Sequence, residues 1–152
     1  MSAVIRKATV RDAESIRRLV NLYASQGKML PRSLSEIFEN IRDYHVAEMG
    51  ERLVGCCALH VFWRDLAEIR SLAVHPEEVG KGLGSSLVHR ALEEAPSLGI
   101  RRVFILTAIP DYFSRLGFRE TDRSRLPQKI WVECVKCPKF PECDEVAMVI
   151  DI

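Results

Sequence analysis

Residues 66–92 read LAEIRSLAVHPEEVGKGLGSSLVHRAL, and the order of apolar residues, proline and glycines in this stretch decides the fold. Leu66 to Val74 is apolar and β-compatible, and Pro76 cannot extend a ladder, so a strand ending near His75 is predicted. A turn with glycine at every second position follows, Gly80-Lys81-Gly82-Leu83-Gly84. Beyond it Leu83, Leu87, Val88, Ala91 and Leu92 fall on one helical face. The first amides of a helix lack intrahelical partners, glycine lets an anion approach them, and the helix dipole favours negative charge there. Lys81 adds a cation. Strand, turn and helix together suit a phosphate or pyrophosphate, the alternative being a plain glycine-rich connection.

The remaining sequence sets bounds. A chain of 152 residues suits one domain, 1–152, with a cysteine-containing end from about residue 131. A hydrophobic content of 47%, a charged content of 28% and a net charge of +1 fit a globular protein and point to neither nucleic acid nor an anionic membrane. No apolar run is long enough to span a bilayer, and MSAVIRKATVRD lacks the apolar core of a signal peptide. Five cysteines without secretory context suit reduced thiols in a cytoplasm.

Taken in order, Val4 to Ala8 reads as a strand, and Thr9 or Asp12 caps a helix carrying Ile16, Leu19, Val20 and Tyr23, which stops near Gly27. Ser33-Leu34-Ser35-Glu36 offers a capping box for a second helix with Ile37, Phe38 and Ile41 inward. Tyr44 to Glu48 and Arg52 to Phe62 form a hairpin around Met49-Gly50-Glu51. After the central strand and its helix, Arg102 to Ala108 is apolar enough for a strand buried on both faces. Pro110 starts a short helix closed by Gly117, and Glu145 to Ile150 is a last strand. The order β-α-α-β-β-β-α-β-α-β implies one α/β domain with a mixed sheet flanked by helices.

Glu68 lies within the apolar central strand, where an acid is costly to bury unless it is paired or functional. Alternation predicts Glu68, Arg70 and Leu72 on one face and Ile69, Ser71 and Ala73 on the other. Glu68 is therefore read either as an ion pair with Arg70 or Arg64, or as a general base acting directly or through water. In the tail, Cys134, Cys137 and Cys143 have metal-like spacing, with Asp144 or His45 as a fourth ligand. Packed structural thiols are the preferred reading there, and no metal is expected. Cys56 and Cys57 alternate across a strand, so one of them is expected in the core, and His60 and His89 read as packing or surface residues.

SLAVHPEEVGKGLGSSLV resembles the acetyl-CoA-binding motif of the GNAT acyltransferase superfamily, Arg/Gln-x-x-Gly-x-Gly/Ala after a strand ending in Leu-Ala-Val-x-Pro. Gly82 and Gly84 fill the last two positions, while Val79 stands where the family has Arg or Gln. The resemblance implies the GNAT fold, acetyl-CoA as cosubstrate and a small-molecule amine as acceptor. It implies Gly80, Lys81, Gly82, Leu83 and Gly84 as the pyrophosphate cradle and Leu72, Ala73 and Val74 along the pantetheine arm, with an oxyanion donor near Val74. Glu68 matches the family's base. The family's acidic tyrosine, four residues before Gly117, falls on Phe113, which is then an aromatic at the cofactor. Tyr112 is the neighbouring candidate acid or else an aromatic packed near the cofactor, with water as the acid in that case.

Within that superfamily the chain is similar to the acyltransferase domain of bacterial N-acetylglutamate synthases over roughly residues 29–129. The shared stretches are Leu30-Pro31-Arg32-Ser33, Ala67-Glu68-Ile69, Leu72-Ala73-Val74-His75-Pro76, Val103-Phe104-Ile105-Leu106-Thr107, Gly117-Phe118, Leu126-Pro127 and Lys129. This implies N-acetylation of glutamate for arginine biosynthesis, with Arg32, Arg70 and Lys129 as candidate carboxylate partners. It leaves a homodimer open, and no arginine feedback through an amino-acid-kinase domain is expected. The alternatives are another small amine or protein amine as acceptor, or a non-catalytic CoA-sensing or metal-binding module.

Overall fold

The computed structural model describes residues 2–126 and 145–152. Seven strands form one mixed sheet in the order β1-β2-β3-β4-β5-β7-β6. They are β1 Val4–Lys7, β2 Tyr44–Met49, β3 Arg52–Trp63, β4 Leu66–Val74, β5 Arg102–Thr107, β6 Arg119–Thr121 and β7 Val146–Asp151. The helices are α1 Ala13–Ala24, α2 Leu34–Glu39, α3 Leu83–Glu94 and α4 Pro110–Arg115. β1 to β4 form an antiparallel meander, β4 and β5 run parallel across the α3 crossover, and β7 returns antiparallel between β5 and β6. No helix among the described residues is long and apolar enough to cross a membrane.

The helical periodicities become two layers. On one face α3 buries Leu87, Val88 and Ala91 against Val54, Cys57, Leu59, Ala67 and Ile69. On the other, α1 and α2 bury Ile16, Leu19, Val20 and Ile37 against Val46, Cys56, Ala58 and Ala73. At roughly 25 cal/mol per Å² of apolar area, each fully buried aliphatic side chain contributes about 2 kcal/mol, so these layers carry most of the stability. Gly55 is needed where β3 passes beneath α3, because a Cβ there would stand 2.9 Å from Leu87 Cδ1. The Ser33 box closes as expected, with the Glu36 N–H donating to Ser33 Oγ at 3.1 Å.

Three expectations are corrected. The short strand β6 was not foreseen, because three residues carry too little pattern to read. Phe38 points outward, 43% exposed, since α2 is only six residues long and about 100° separates Phe38 from the buried Ile37. Leu72 leaves the face of Glu68 and Arg70. β4 pairs Ala73 with Cys56 and Arg70 with Ala58, so Ser71 and Leu72 together oppose Cys57. Ser71 takes φ 55°, and this bulge resets the two-residue alternation. Leu72 and Val74 consequently pack with Ile69 on the α3 side, while Ala73 joins the α1 side.

Candidate active site

The site is organised by a fork between two parallel strands. β4 and β5 pair at Leu66↔Arg102, Ala67↔Val103 and Glu68↔Phe104 and no further, although β4 runs on to Val74 and β5 to Thr107. Glu68 therefore stands at the vertex. Past it, β3 is the one strand paired with β4 among the described residues, and the His75 N–H donates to the Val54 carbonyl at 2.8 Å. Successive residues of an antiparallel strand turn their amides to opposite sides. Val74, opposite Gly55, thus directs its N–H and C=O away from β3, into the fork. Tyr23 of α1, which sequence reasoning had read only as a core residue, donates its hydroxyl to the Val74 carbonyl and pins this end of β4. Burial raises the Tyr23 pKa and keeps the donor protonated.

At the open end of the fork lies the glycine turn. Gly82, at φ 80°, caps α3, a conformation that an L side chain adopts only with strain. The first helical bond runs from the Ser86 N–H to the Gly82 carbonyl at 3.1 Å, so the amides of Leu83, Gly84 and Ser85 precede the ladder. Lys81 is paired with Glu78 at 2.9 Å. Val79, in place of a cation, is 61% exposed.

The Tyr112 hydroxyl comes to the same helix mouth. It lies 3.0 Å from Ser85 Oγ, and a Cβ added at Gly84 would meet it at 2.9 Å. Gly84 leaves room for this approach, which a Cβ would push aside. Phe113 is instead the floor. It is 2% exposed and packs edge-to-face against Tyr112 and Phe118, so it presents no face to the fork. The one-residue step around α4 thus aims Tyr112 at the mouth of α3 and Phe113 into the core.

On the α1 and α2 side of β4 a small pocket is lined by Arg32, Glu36, Asn40, Asp43, Tyr44, Ala58 and Arg70. The structure brings together two of the three arginine and lysine candidates, from the connector before α2 and from β4. Arg32 Nη1 lies 3.5 Å from Glu36 Oε2, and Arg70 Nη1 lies 3.6 Å from Glu68 Oε1. Of the two readings of Glu68, this geometry contains the ion pair, which ties it to Arg70 on the pocket wall. Burial opposes charge on Glu36, but hydrogen bonds from Ser33 and the Arg32 charge leave its carboxyl below the usual range. Burial raises the Tyr44 phenol, which keeps it a donor at neutral pH.

Asp43 and Tyr44, which sequence reasoning did not single out, line this pocket, and His60 lies next to it. His60 is the direct cross-strand partner of Glu68, and its Nδ1 lies 2.6 Å from Asp43 Oδ2. No local motif announces this pair, because strand register and a turn at residues 41–43 assemble it. Cys56 and Cys57 are both fully buried, whereas one had been expected in the core; burial pushes the Cys56 thiol up to about 12. The remaining sequence candidates, Lys129 and Cys134, Cys137 and Cys143, lie outside the described residues.

Residues 13–118 match the acetyltransferase (GNAT) family. The chain is 44% identical to an uncharacterized N-acetyltransferase of Chlorobaculum tepidum, over 95% of this chain and 94% of that one. It is 39% identical to an amino-acid acetyltransferase of Mycobacterium tuberculosis, over 86% and 76%. Among solved structures, N-acetylglutamate synthase from Neisseria gonorrhoeae, complexed with coenzyme A and N-acetyl-glutamate, superposes with a TM-score of 0.90 at 27% identity. That match covers 99% of this chain and 35% of the synthase. A Mycobacterium tuberculosis protein solved in complex with CoA superposes with a TM-score of 0.84 at 31% identity, covering 98% and 99%. The chain belongs to the GNAT acetyltransferase family and is an N-acetyltransferase.

Proposed function

We propose that this acetyltransferase moves the acetyl group of acetyl-CoA to the α-amine of glutamate. The observation that carries the reading is the placing of Glu68 at the vertex of the β4/β5 fork, beside a pocket shared by Arg32 and Arg70. Two guanidinium forks suit an acceptor with two carboxylates. The named relatives support the acceptor class, an amino acid.

The chain's own groups supply most requirements of acetyl transfer. The helix-start amides of α3 and the cradle from Gly80 to Gly84 hold the cofactor pyrophosphate, and the Val74 amide and carbonyl align the pantetheine arm. Val74 is on the order of 20 Å of strand from Glu68 at the usual rise per residue, too far for its amide to serve the carbonyl under attack. The bulge at Ser71 and Leu72 lies nearer the vertex, and the Leu72 amide is the better oxyanion donor. Glu68 takes a proton from the acceptor's ammonium, directly or through water. The amine attacks the thioester carbonyl, the C–N bond forms and the C–S bond breaks. The Tyr112 hydroxyl stands at Gly84, level with Val74 and as far from the reacting carbonyl, so water delivers the proton to the departing sulfur.

Thiol release from acetyl-CoA, measured against glutamate, glutamine, aspartate and lysine, tests this function. Selective turnover of glutamate is expected. Equal turnover of all four would overturn the acceptor assignment, and no loss of turnover in Glu68→Gln would remove Glu68 from the mechanism.

A further inference from the structure

Glu68 must lose its captured proton before each new turnover, and its side chain is only 11% exposed. We propose that His60 and Asp43 form a proton relay behind Glu68, carrying the acceptor's proton from the carboxyl to solvent. The inference rests on the assignment of Glu68 as base.

Three observations support it. His60 on β3 faces Glu68 on β4 directly, and directly opposed residues of an antiparallel pair share a face, with Cβ atoms about 5 Å apart. At that spacing an imidazole and a carboxyl meet directly or through one water. Asp43 Oδ2 accepts from His60 Nδ1 at 2.6 Å, which fixes the proton on Nδ1 and leaves Nε2 as the acceptor. The His60 and Asp43 side chains are 27% and 22% exposed, so the pair lies between the buried carboxyl and water. Asp43 also lines the arginine pocket. The charged groups facing His60 are Asp43 from the turn and Glu68 and Arg70 from β4, with Arg32 and Glu36 across the pocket.

The protons balance. An acceptor ammonium enters with three. One passes to Glu68, then to His60 Nε2, where the Asp43 carboxylate offsets the imidazolium charge, and leaves to water. A second leaves the nitrogen as the C–S bond breaks and ends on sulfur. The third remains on the amide.

A purely structural His60 would only tie the turn at residues 41–43 to β3. The discriminating experiment follows thiol release with glutamate as acceptor across the pH range, in the full chain carrying His60→Gln, His60→Ala, Asp43→Asn, Glu68→Gln or Glu68→Gln with His60→Gln. Calorimetric binding of CoA reports that each variant is folded. The relay predicts a kcat lowered about 10- to 100-fold in His60→Gln with the KM for acetyl-CoA unchanged. It predicts a displaced acid limb in the kcat profile, recovery of His60→Ala by added imidazole, and a double variant no slower than Glu68→Gln alone. A slow Glu68→Gln beside a His60→Gln with wild-type kcat and pH profile would overturn the relay alone, as would a slowed His60→Ala that imidazole fails to restore. A Glu68→Gln enzyme with wild-type turnover would overturn the base assignment and the relay with it.

Discussion

The two ends of β4 build their sites from different materials. The cradle after Val74 is made of backbone: helix-start amides, a glycine at φ 80° and a glycine that a tyrosine hydroxyl overlies. The pocket beside Glu68 is made of side chains delivered by α2, the turn before β2, β3 and β4. Backbone donors survive a change of side chain, so the proposed cradle does not depend on a cation at Val79. A pocket of side chains has no such reserve, because each of its arginines is balanced by a neighbour: Arg32 by Glu36 and Arg70 by Glu68. Single substitutions should therefore act strongly at the vertex and weakly at the cradle.

The largest effect is expected at the vertex. Glu68→Gln keeps the size and removes the proposed base, and should lower kcat about 10²- to 10⁴-fold while CoA binding by calorimetry is retained. Arg32→Ala removes one of the two proposed carboxylate partners. A charge-assisted hydrogen bond contributes about 2 kcal/mol, so the KM for glutamate should rise about 30-fold with the KM for acetyl-CoA unchanged.

A third variant tests whether charge balance as such matters away from both sites. Arg6 is bonded to Asp12 and Glu48, each at 2.9 Å, on the edge of the sheet. The Arg6 hydrogen bond holds the Asp12 carboxyl below its ordinary value. A depressed folded pKa contributes stability above the unfolded value near 3.8, and that stability is lost as pH falls through the folded pKa. Asp12→Asn should cost about 1.5 kcal/mol in urea unfolding at neutral pH and progressively less below about pH 4, with kcat unchanged.

At the cradle the expected effects shrink. Gly84→Ala pushes on the Tyr112 hydroxyl and should raise the KM for acetyl-CoA about fivefold, roughly 1 kcal/mol. Adding Tyr112→Phe removes the clashing atom and should recover most of that loss, which a double-mutant cycle reads directly. Val79→Arg adds an exposed cation and should tighten acetyl-CoA by no more than about threefold. A gain of a hundredfold would mean that the backbone cradle is weaker than its geometry implies.

The same division explains what could be read from the sequence. The strand, glycine turn and helix of residues 66–92 are contiguous, and each residue type has a local reason, so the cradle and its family resemblance were legible. The layers followed from periodicity at Ile16, Leu19 and Val20 and at Leu87, Val88 and Ala91. The bulge at Ser71 was not legible, because it is set by pairing with β3, and it moved Leu72 to the other face. The fork, the Tyr23 contact to Val74 and the His60–Asp43 pair depend on register between distant segments. Arg32 and Arg70 were named individually, but only the fold brings them into one pocket.

The central claim is that the arginine pocket beside Glu68 receives an acidic amino acid. The most direct test is kcat/KM for glutamate against glutamine, by thiol release from acetyl-CoA, in the wild type and in Arg32→Ala. The account predicts a preference for glutamate in the wild type that falls at least tenfold when Arg32 is removed. A preference that Arg32→Ala leaves intact, or no preference at all, would contradict it.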